Sequence, residues 1–188
     1  MPRLLVVVAS TRPGRAGRAV ADWFVHEAEQ HGGFDVEVAD LADLDLPMMN
    51  EPHHPVLRRY EHDHTRAWSE TVDRADAVVF VMPEYNYSFT APLKNAVDYL
   101  HHEWAYKPAA FVSYGGISGG IRAVQAFKQV VTTLRMYPVT VQVALANFRQ
   151  HLTDDGFRPG ADEAGAAKQM LDELVKLTPA FASLRAAS

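Results

Sequence analysis

The chain has 188 residues, of which 48% are hydrophobic and 22% are charged, and its formal net charge is −5. This composition is typical of one globular domain, here residues 1–188, and the lack of a basic cluster argues against a nucleic-acid partner. The absence of cysteine excludes disulfides, cysteine-ligated zinc, iron–sulfur clusters and thiol nucleophiles. No apolar run is long enough for a signal sequence or a membrane span, so we expect a cytoplasmic protein without a membrane partner.

Five segments of the sequence predict β-strands. Residues 4–9, with the sequence LLVVVA, and residues 77–82 are continuously apolar, as expected for strands that are buried on both faces. Residues 34–41 alternate between apolar and polar side chains, which indicates a strand near the edge of the sheet. Residues 108–114 and 139–146 complete the predicted set.

Segments with helical periodicity separate these strands. Apolar positions recur with the period of a helix in five segments, and the second of these stripes is the weakest. Gly32 and Gly33 mark the end of the first helix, and Pro138 marks the entry to the last strand. The stripes consist of Val20, Phe24 and Ala28; Val56, Tyr60, Trp68 and Val72; Leu93, Val97 and Leu100; Val124, Phe127, Val131 and Leu134; and Met170, Leu171, Leu174 and Leu177.

Strands that alternate with helices predict βαβ units and a parallel sheet. Five strands and five helices favour a flavodoxin-like α/β fold, in which a doubly wound five-stranded parallel sheet of order 2-1-3-4-5 lies between two helical layers. In such sheets, ligands bind beyond the carboxyl ends of the strands. The loops after the first, third and fourth strands, residues 10–17, 83–88 and 113–120, are therefore the candidate ligand site.

The first of these loops, STRPGRAG, joins a buried strand to the start of a helix. Unpaired backbone N–H groups and the helix dipole favour an anion there, and the side chains of Arg12 and Arg15 match a phosphate well. The loop lacks the Gly-Lys-Ser/Thr ending of a P-loop and the three-glycine spacing of a dinucleotide fingerprint. It predicts a phosphate site, with a capped helix start and solvated arginines as the alternative.

The other two loops offer flat surfaces and an open backbone. Tyr85 and Tyr87 present aromatic rings and Asn86 offers an amide, although packing on the next helix or at a subunit contact explains Tyr87 equally well. Two glycine pairs in the third loop leave room for a bulky planar group, the alternative being a flexible loop into a helix capped by Ser118. A phosphate and a planar ring system together predict flavin mononucleotide (FMN).

Three stretches together carry a family resemblance, namely STRPGRAG, PEYNYSFTAPLKNAVDYL and VSYGGISGGIRA. Through them the chain resembles the NADPH-dependent FMN reductase family of flavodoxin-like proteins, which includes quinone, azo and chromate reductases. The resemblance extends from residue 4 to about residue 145. The sequence departs from the commoner family form at Ala9, where many members have Gly, and at Arg15 and Gly17, where many have Ser and Asn.

The resemblance implies an FMN cofactor, NADPH or NADH as the hydride donor, and a small-molecule electron acceptor. Because the flavin carries the chemistry, we expect no catalytic side chain. Cations near the co-substrate would select NADPH, and Arg15, Arg18 and Arg122 are the candidates. The implied FMN-binding residues are Ser10, Arg12, Arg15, Ala16 and Gly17 around the phosphate; Pro83, Glu84, Tyr85 and Asn86 along the ribityl chain and ring; and Tyr114, Gly115, Gly116 and Ser118 on the other side of the ring.

The resemblance also implies a homodimer, with tetramers formed as pairs of dimers. Residues 93–100 and the segment HHEWAYKP that follows them are the predicted subunit contact. Glu84 is more simply explained as a helix-entry or subunit-contact residue than as a catalytic carboxylate. The clustered histidines accompany no ligand pattern of a known metal site, so no metal is predicted. Two other functions stay open, an electron-carrier flavodoxin and a non-catalytic module that binds flavin or another phosphate ligand.

Overall fold

A parallel β-sheet between two layers of helices forms the body of the computed structural model, which describes residues 1–186. A short antiparallel hairpin lies apart from this sheet. The sheet strands are β1 (Arg3–Val8), β2 (Asp35–Asp40), β3 (Ala77–Pro83), β4 (Pro108–Tyr114), β5 (Tyr137–Pro138) and β6 (Val143–Leu145), and the hairpin strands are β7 (Leu152–Thr153) and β8 (Gly156–Phe157).

The helices alternate with the strands, as predicted. α1 ends where Gly32 takes a φ of 69° and donates its N–H to the Ala28 carbonyl at 3.3 Å, which confirms the predicted glycine stop. No helix within residues 1–186 is long and apolar enough to cross a membrane. The helices are α1 (Gly17–His31), α2 (Leu41–Leu44), α3 (Asp63–Asp73), α4 (Ala91–Asp98), α5 (Ile121–Thr133) and α6 (Ala161–Ala186), with 3-10 turns at Pro55–Leu57, His102–Trp104 and Phe148–His151.

The strand order is β2-β1-β3-β4-β5, which confirms the predicted flavodoxin-like topology. β2 is the edge strand, as its alternating sequence indicates. Neighbouring residues of β3 point to opposite faces of the sheet and into separate cores. Phe80 packs with Trp68 and Phe127 under α3 and α5, whereas Val79 packs with Phe24 under α1 and α6. Because all strands of the sheet run in one direction, the loops after β1, β3 and β4 leave from one edge.

The fifth predicted strand is interrupted. In place of one strand over residues 139–146, the chain forms β5 and β6, and both pair with β4. Pro138 does not end the pairing, since the next residue, Val139, still donates its N–H to the Ala109 carbonyl of β4 at 2.9 Å. The Val141 N–H donates to Glu173 Oε2 of α6 at 3.4 Å and not to β4. The last strand position therefore consists of two short pieces.

The second predicted helix is shorter than its apolar stripe. Val56 lies in a 3-10 turn, and α3 begins only at Asp63, so Trp68 and Val72 are the stripe residues on this helix. The apolar stripe is weak because no single helix covers all of its positions. Two further stripe residues, Leu100 and Leu134, lie just beyond the ends of their helices.

Candidate functional site

Three loops meet at the carboxyl edge of the sheet around a cavity of about 380 Å³. They follow β1, β3 and β4, and a segment after β6 closes the remaining side. Pockets that hold small molecules and cofactors occupy about 300–1,000 Å³. The cavity is lined by Arg12, Pro13, Gly14, Arg15, Ala16, Pro83, Glu84, Tyr85, Tyr114, Gly115, Gly116, Phe148, Arg149 and Leu152.

The loop after β1 presents a cation and free backbone donors to the cavity. The Arg15 N–H donates to the Arg12 carbonyl at 3.1 Å and Gly14 takes a φ of 69°, so the loop turns tightly into α1. The first N–H groups of the helix have no intrahelical partner, and the helix dipole adds positive potential. The Arg12 guanidinium makes no hydrogen bond or ion pair with any residue in the range 1–186. This end of the cavity is therefore suited to an anion.

The other arginines of α1 and its loop are paired with carboxylates. Arg15 Nη1 lies 2.8 Å from Asp40 Oδ1, and Arg18 Nε lies 2.8 Å from Asp22 Oδ1. Asp40 is buried at the end of β2 and also accepts the Ala42 N–H at 3.0 Å. Any anion that binds Arg15 therefore competes with a carboxylate that the fold holds in place. Arg12 is the cation of this loop with unused hydrogen-bonding capacity.

α1 begins at a glycine because two hydroxyl groups occupy the space beside it. A Cβ at Gly17 would lie 2.1 Å from Ser10 Oγ and 2.4 Å from Tyr114 Oη, which is closer than real Cβ atoms approach. The Tyr114 ring is 4% exposed and packs against Phe148, with ring centroids 5.1 Å apart. Burial raises the pKa of Tyr114 to about 12, so its hydroxyl stays protonated well into the alkaline range. Gly17, Ser10 and Tyr114 thus join the first and third loops.

The polar, aromatic stretch after β3 is a two-residue hairpin turn. The Tyr85 N–H donates to the Ser88 carbonyl at 2.9 Å, and the Ser88 N–H donates to the Tyr85 carbonyl at 3.0 Å. The central residues Asn86 and Tyr87 have φ values of 50° and 70°, as a type I′ turn requires. Tyr85 lines the cavity, whereas Tyr87 is 69% exposed and lies under the Arg122 guanidinium, 3.9 Å from the ring centroid. The turn therefore presents its two aromatic rings in different directions.

Glu84 links the turn after β3 to the loop after β4. Its carboxylate accepts the Ser118 hydroxyl at 3.0 Å, the Arg122 backbone N–H at 3.2 Å and Arg122 Nε at 2.7 Å. The alternative in which Ser118 caps α5 is wrong, since the N-cap of α5 is Gly120 at a φ of 84°. The Glu84 carboxylate, instead of Ser118, accepts an N–H from the first turn of α5, which agrees with a helix-entry role for Glu84. All three arginines proposed for NADPH selection, Arg122 among them, are thus engaged by carboxylates.

The segment after β6 supplies cavity residues that sequence reasoning missed. Phe148, Arg149 and Leu152 line the cavity, together with Pro13 and Gly14 of the first loop. The Asn147 N–H donates to the Gly116 carbonyl at 2.8 Å and so attaches this segment to the third loop. The signal was present in the sequence, because an aromatic residue and an arginine lie three and four residues after the end of the last sheet strand. The Arg149 guanidinium makes no hydrogen bond or ion pair with residues 1–186 and lies over the Phe148 ring, 5.7 Å from its centroid.

The structure brings most of the predicted site residues into one cavity. Tyr114 lines it mainly as a buried wall, because little of its ring is exposed for stacking. The predicted residues that line the cavity are Arg12, Arg15, Ala16, Pro83, Glu84, Tyr85, Tyr114, Gly115 and Gly116, and those that do not are Ser10, Gly17, Asn86 and Ser118.

The segment HHEWAYKP, predicted to contact a second subunit, is largely enclosed by its own chain. Trp104 and Lys107 are buried, and the buried Glu103 carboxylate accepts hydrogen bonds from Tyr60 at 2.9 Å and Ser69 at 2.7 Å. These side chains cannot meet a partner without local rearrangement. Within the described part of the chain, no group of three or more His, Cys, Asp or Glu side chains is arranged to hold a metal ion.

Comparison with known proteins gives consistent results. The sequence matches the family described as NADPH-dependent FMN reductase over residues 2–150. An NAD(P)H-dependent FMN reductase of Schizosaccharomyces pombe is 36% identical over 94% of this chain and 90% of its own length. An NADPH:quinone oxidoreductase of Arabidopsis thaliana is 30% identical over 77% of this chain and 68% of its own length. The fold of a flavoenzyme NAD(P)H:(acceptor) oxidoreductase from Paracoccus denitrificans matches with a TM-score of 0.75 at 20% identity, covering 96% of this chain and 99% of that one.

Proposed function

The chain belongs to the NADPH-dependent FMN reductase family, and from this membership we propose that it passes hydride from NADPH through FMN to a quinone, a flavin or a similar small acceptor. It is an oxidoreductase whose flavin is FMN and whose co-substrate is NAD(P)H. The observation that carries the proposal is the convergence of an anion-binding helix start, an aromatic turn and a glycine loop on one cavity. Bound FMN supplies the hydride-transfer chemistry at its N5 position, and the protein binds and orients it.

The residues of the first loop fit the phosphate end of FMN. In this proposal Arg12 and the first N–H groups of α1 bind the phosphate, supported by the unused Arg12 guanidinium and the helix dipole. Gly17 keeps the helix start close to the Ser10 and Tyr114 hydroxyl groups. A neutral phenol can donate to a phosphate oxygen. In this proposal the Tyr114 hydroxyl, which comes from the loop after β4, contacts the phosphate in place of the Asn side chain that many family members carry at position 17.

The second and third loops fit a planar ring. Tyr85 offers an exposed ring at the cavity wall, and Gly115 and Gly116 leave the opposite wall without side chains. Glu84 keeps these two walls at a fixed separation through its bonds to α5. Preorganised walls lower the conformational cost of holding a flat ligand. We therefore propose that Pro83 to Asn86 and the glycine loop enclose the flavin ring.

Arg149 is our proposed contact for the anionic part of NADPH. The three arginines first considered are held by Asp40, Asp22 and Glu84, whereas the guanidinium of Arg149 retains its hydrogen-bonding capacity. Arg149 lines the same cavity as Arg12 but comes from the segment after β6, so the two cations can serve different phosphates. Binding of the 2′-phosphate by Arg149 would favour NADPH over NADH.

We further propose a single domain over the chain that forms a homodimer, with tetramers as pairs of dimers, in the cytoplasm. Exposed apolar side chains on the loops after β3 and β4 support a subunit contact there, since Tyr87 is 69% exposed and Ile117 is 87% exposed. The cysteine-free sequence agrees with a reducing compartment. Sedimentation velocity of the purified protein tests the assembly, and a monomer at micromolar concentration would contradict it.

One set of measurements tests the function. The purified protein is examined for flavin absorbance, and NADPH oxidation is then followed with a quinone present. Stoichiometric FMN with rapid NADPH oxidation supports the proposal, and FMN without turnover indicates an electron carrier instead. A colourless protein that cannot be reconstituted with FMN would overturn both. Arg149→Ala should raise KM for NADPH more than KM for NADH, whereas Arg158→Ala, just beyond β8 and outside the lining of this cavity, should change neither.

A further inference from the structure

A buried carboxylate, that of Asp40, lies behind the anion-binding end of the flavin cavity. Asp40 is the last residue of β2, and its side chain is 3% exposed. It does not line the cavity itself. It acts on the cavity through Arg15, which does line it and whose Nη1 lies 2.8 Å from Asp40 Oδ1. A negative charge at this place opposes the binding of an anion, and the function proposed above does not use it.

The fold holds Asp40 in place by two independent contacts. Its backbone pairs with Val8 of β1, two residues before Ser10 begins the first loop. Its side chain is the N-cap of α2 and accepts the Ala42 N–H at 3.0 Å. A carboxylate that is fixed by both a strand and a helix cap cannot withdraw when a ligand arrives. Any anion in the cavity therefore meets the charge of Asp40 where the structure shows it.

The arginines beside Asp40 are neutralised by it or shared with another carboxylate. Asp40 Oδ1 carries the contact to Arg15, whereas Oδ2 is buried and accepts no hydrogen bond from residues 1–186. Arg18 Nη1 lies 3.7 Å from Oδ2, but Arg18 also donates from Nε to Asp22 Oδ1 at 2.8 Å. The positive potential at this end of the cavity therefore depends on Arg12 and on the start of α1, where no acidic residue occupies the first turn.

From this arrangement, and on the basis of the proposed FMN site, we propose that Asp40 limits the affinity of the protein for the phosphate of FMN. A phosphate monoester carries close to two negative charges at neutral pH. Buried charges are screened much less by salt than exposed ones, so the carboxylate opposes the phosphate and keeps Arg15 from it. Riboflavin has the same ring and no phosphate, so its binding is independent of this effect. Asp40 thus sets how strongly the cavity prefers FMN to riboflavin.

Asp40→Asn tests the inference, because it removes the charge and keeps the shape. Asn caps helices as well as Asp does, so α2 retains its cap. In a fluorescence titration of flavin-free protein in about 0.15 M salt, we expect this variant to lower the Kd for FMN by about tenfold, since Arg15 is then free to make a charge-assisted bond to the phosphate. The Kd for riboflavin should stay unchanged. A gain in affinity confined to FMN is a result that a purely structural role of Asp40 does not produce.

Three further variants make the test specific. Arg15→Ala added to Asp40→Asn should remove the gain, because Arg15 supplies it. Asp22→Asn makes the same change of charge at a side chain that is 58% exposed and outside the cavity lining, and it should leave the Kd for FMN nearly unchanged. Asp40→Ser also keeps a capping side chain and should tighten FMN binding, so it replaces Asp40→Asn if that variant does not fold. Thermal unfolding shows that each variant is folded.

Four results would overturn the inference. An unchanged Kd for FMN in both Asp40 variants is the first, and a higher Kd, which would show that Asp40 orients Arg15 towards the phosphate, is the second. Equal tightening by Asp22→Asn would indicate a general charge effect, and equal tightening of riboflavin would show that the phosphate is not involved. Oxidation of NADPH by the unchanged protein is measured beside these titrations. If that protein binds FMN and oxidises NADPH while the Asp40 variants gain nothing, only this inference fails; if it binds no FMN, the proposed function fails as well.

Discussion

Replacing Gly17 with alanine tests the contact between the first and third loops. The added Cβ would meet Ser10 Oγ at 2.1 Å and Tyr114 Oη at 2.4 Å, so at least one hydroxyl must move. Both hydroxyls lie on buried side chains, so the neighbouring loops must move with them. Overpacking of this kind costs about 1–3 kcal/mol in the free energy of unfolding. In a domain of this size, each kcal/mol lowers Tm by about 2–4 °C.

The cause of this loss of stability can be checked by removing the two hydroxyl groups that obstruct the added Cβ. Urea unfolding of Gly17→Ala should show the lower free energy of unfolding. The same substitution combined with Ser10→Ala and Tyr114→Phe should recover most of the lost stability. Gly165→Ala in α6 is the matched control, since a Cβ there has no atom within 4 Å and should stabilise the helix by about 0.5–1 kcal/mol. An unchanged stability of Gly17→Ala, or no recovery in the triple variant, would refute the reasoning.

Three further changes test other parts of the molecule. Arg12→Ala should raise the Kd for FMN by about tenfold or more in a fluorescence titration, because a charge-assisted bond to phosphate is lost; an unchanged Kd contradicts its role. Glu84→Gln should destabilise the fold by about 1–3 kcal/mol, since the nearly buried carboxylate accepts hydrogen bonds from the first turn of α5 and from the Arg122 side chain. Thermal unfolding at equal FMN occupancy measures this destabilisation. An unchanged Tm would show that Glu84 does not connect the turn after β3 to α5. Burial gives Lys107 a folded pKa of about 7 against its ordinary 10.5, so above pH 7 the unfolded chain holds a proton that the folded chain has released. The free energy of unfolding should therefore rise from pH 7 to 9.5 by up to about 1.4 kcal/mol per unit, and Lys107→Met should remove this part of the slope.

The fold, and the position of the cavity that forms the candidate site, followed from local features of the sequence. Strands buried on both faces appear as continuous apolar runs, and alternation with helices determines a parallel sheet whose loops share one edge. The pairing of the arginines could not be predicted in this way. Arg15 and Asp40 are 25 residues apart and Glu84 and Arg122 are 38 apart, so each pair depends on the register of neighbouring strands.

The remaining differences also have physical causes. The interruption of the last strand depends on Glu173 of α6, which takes the Val141 N–H, and no pattern in residues 139–146 reveals that competitor. The burial of Trp104 within its own subunit was missed because an aromatic, charged segment looks the same whether it packs inward or against a partner.

The segment that carries Phe148 and Arg149 comes after the last strand of the sheet and is attached to the glycine loop by two backbone hydrogen bonds, Asn147 N–H to Gly116 and Phe148 N–H to Gly115. Its length and sequence can therefore change without shifting the register of any sheet strand. Substitution of its exposed residues 149, 150 and 153–155 offers protein engineers a way to alter which acceptor enters, whereas Phe148 and Phe157 pack against Tyr114 and α1 and are kept. The same independence allows evolution to diversify the reaction partners of one unchanged redox scaffold.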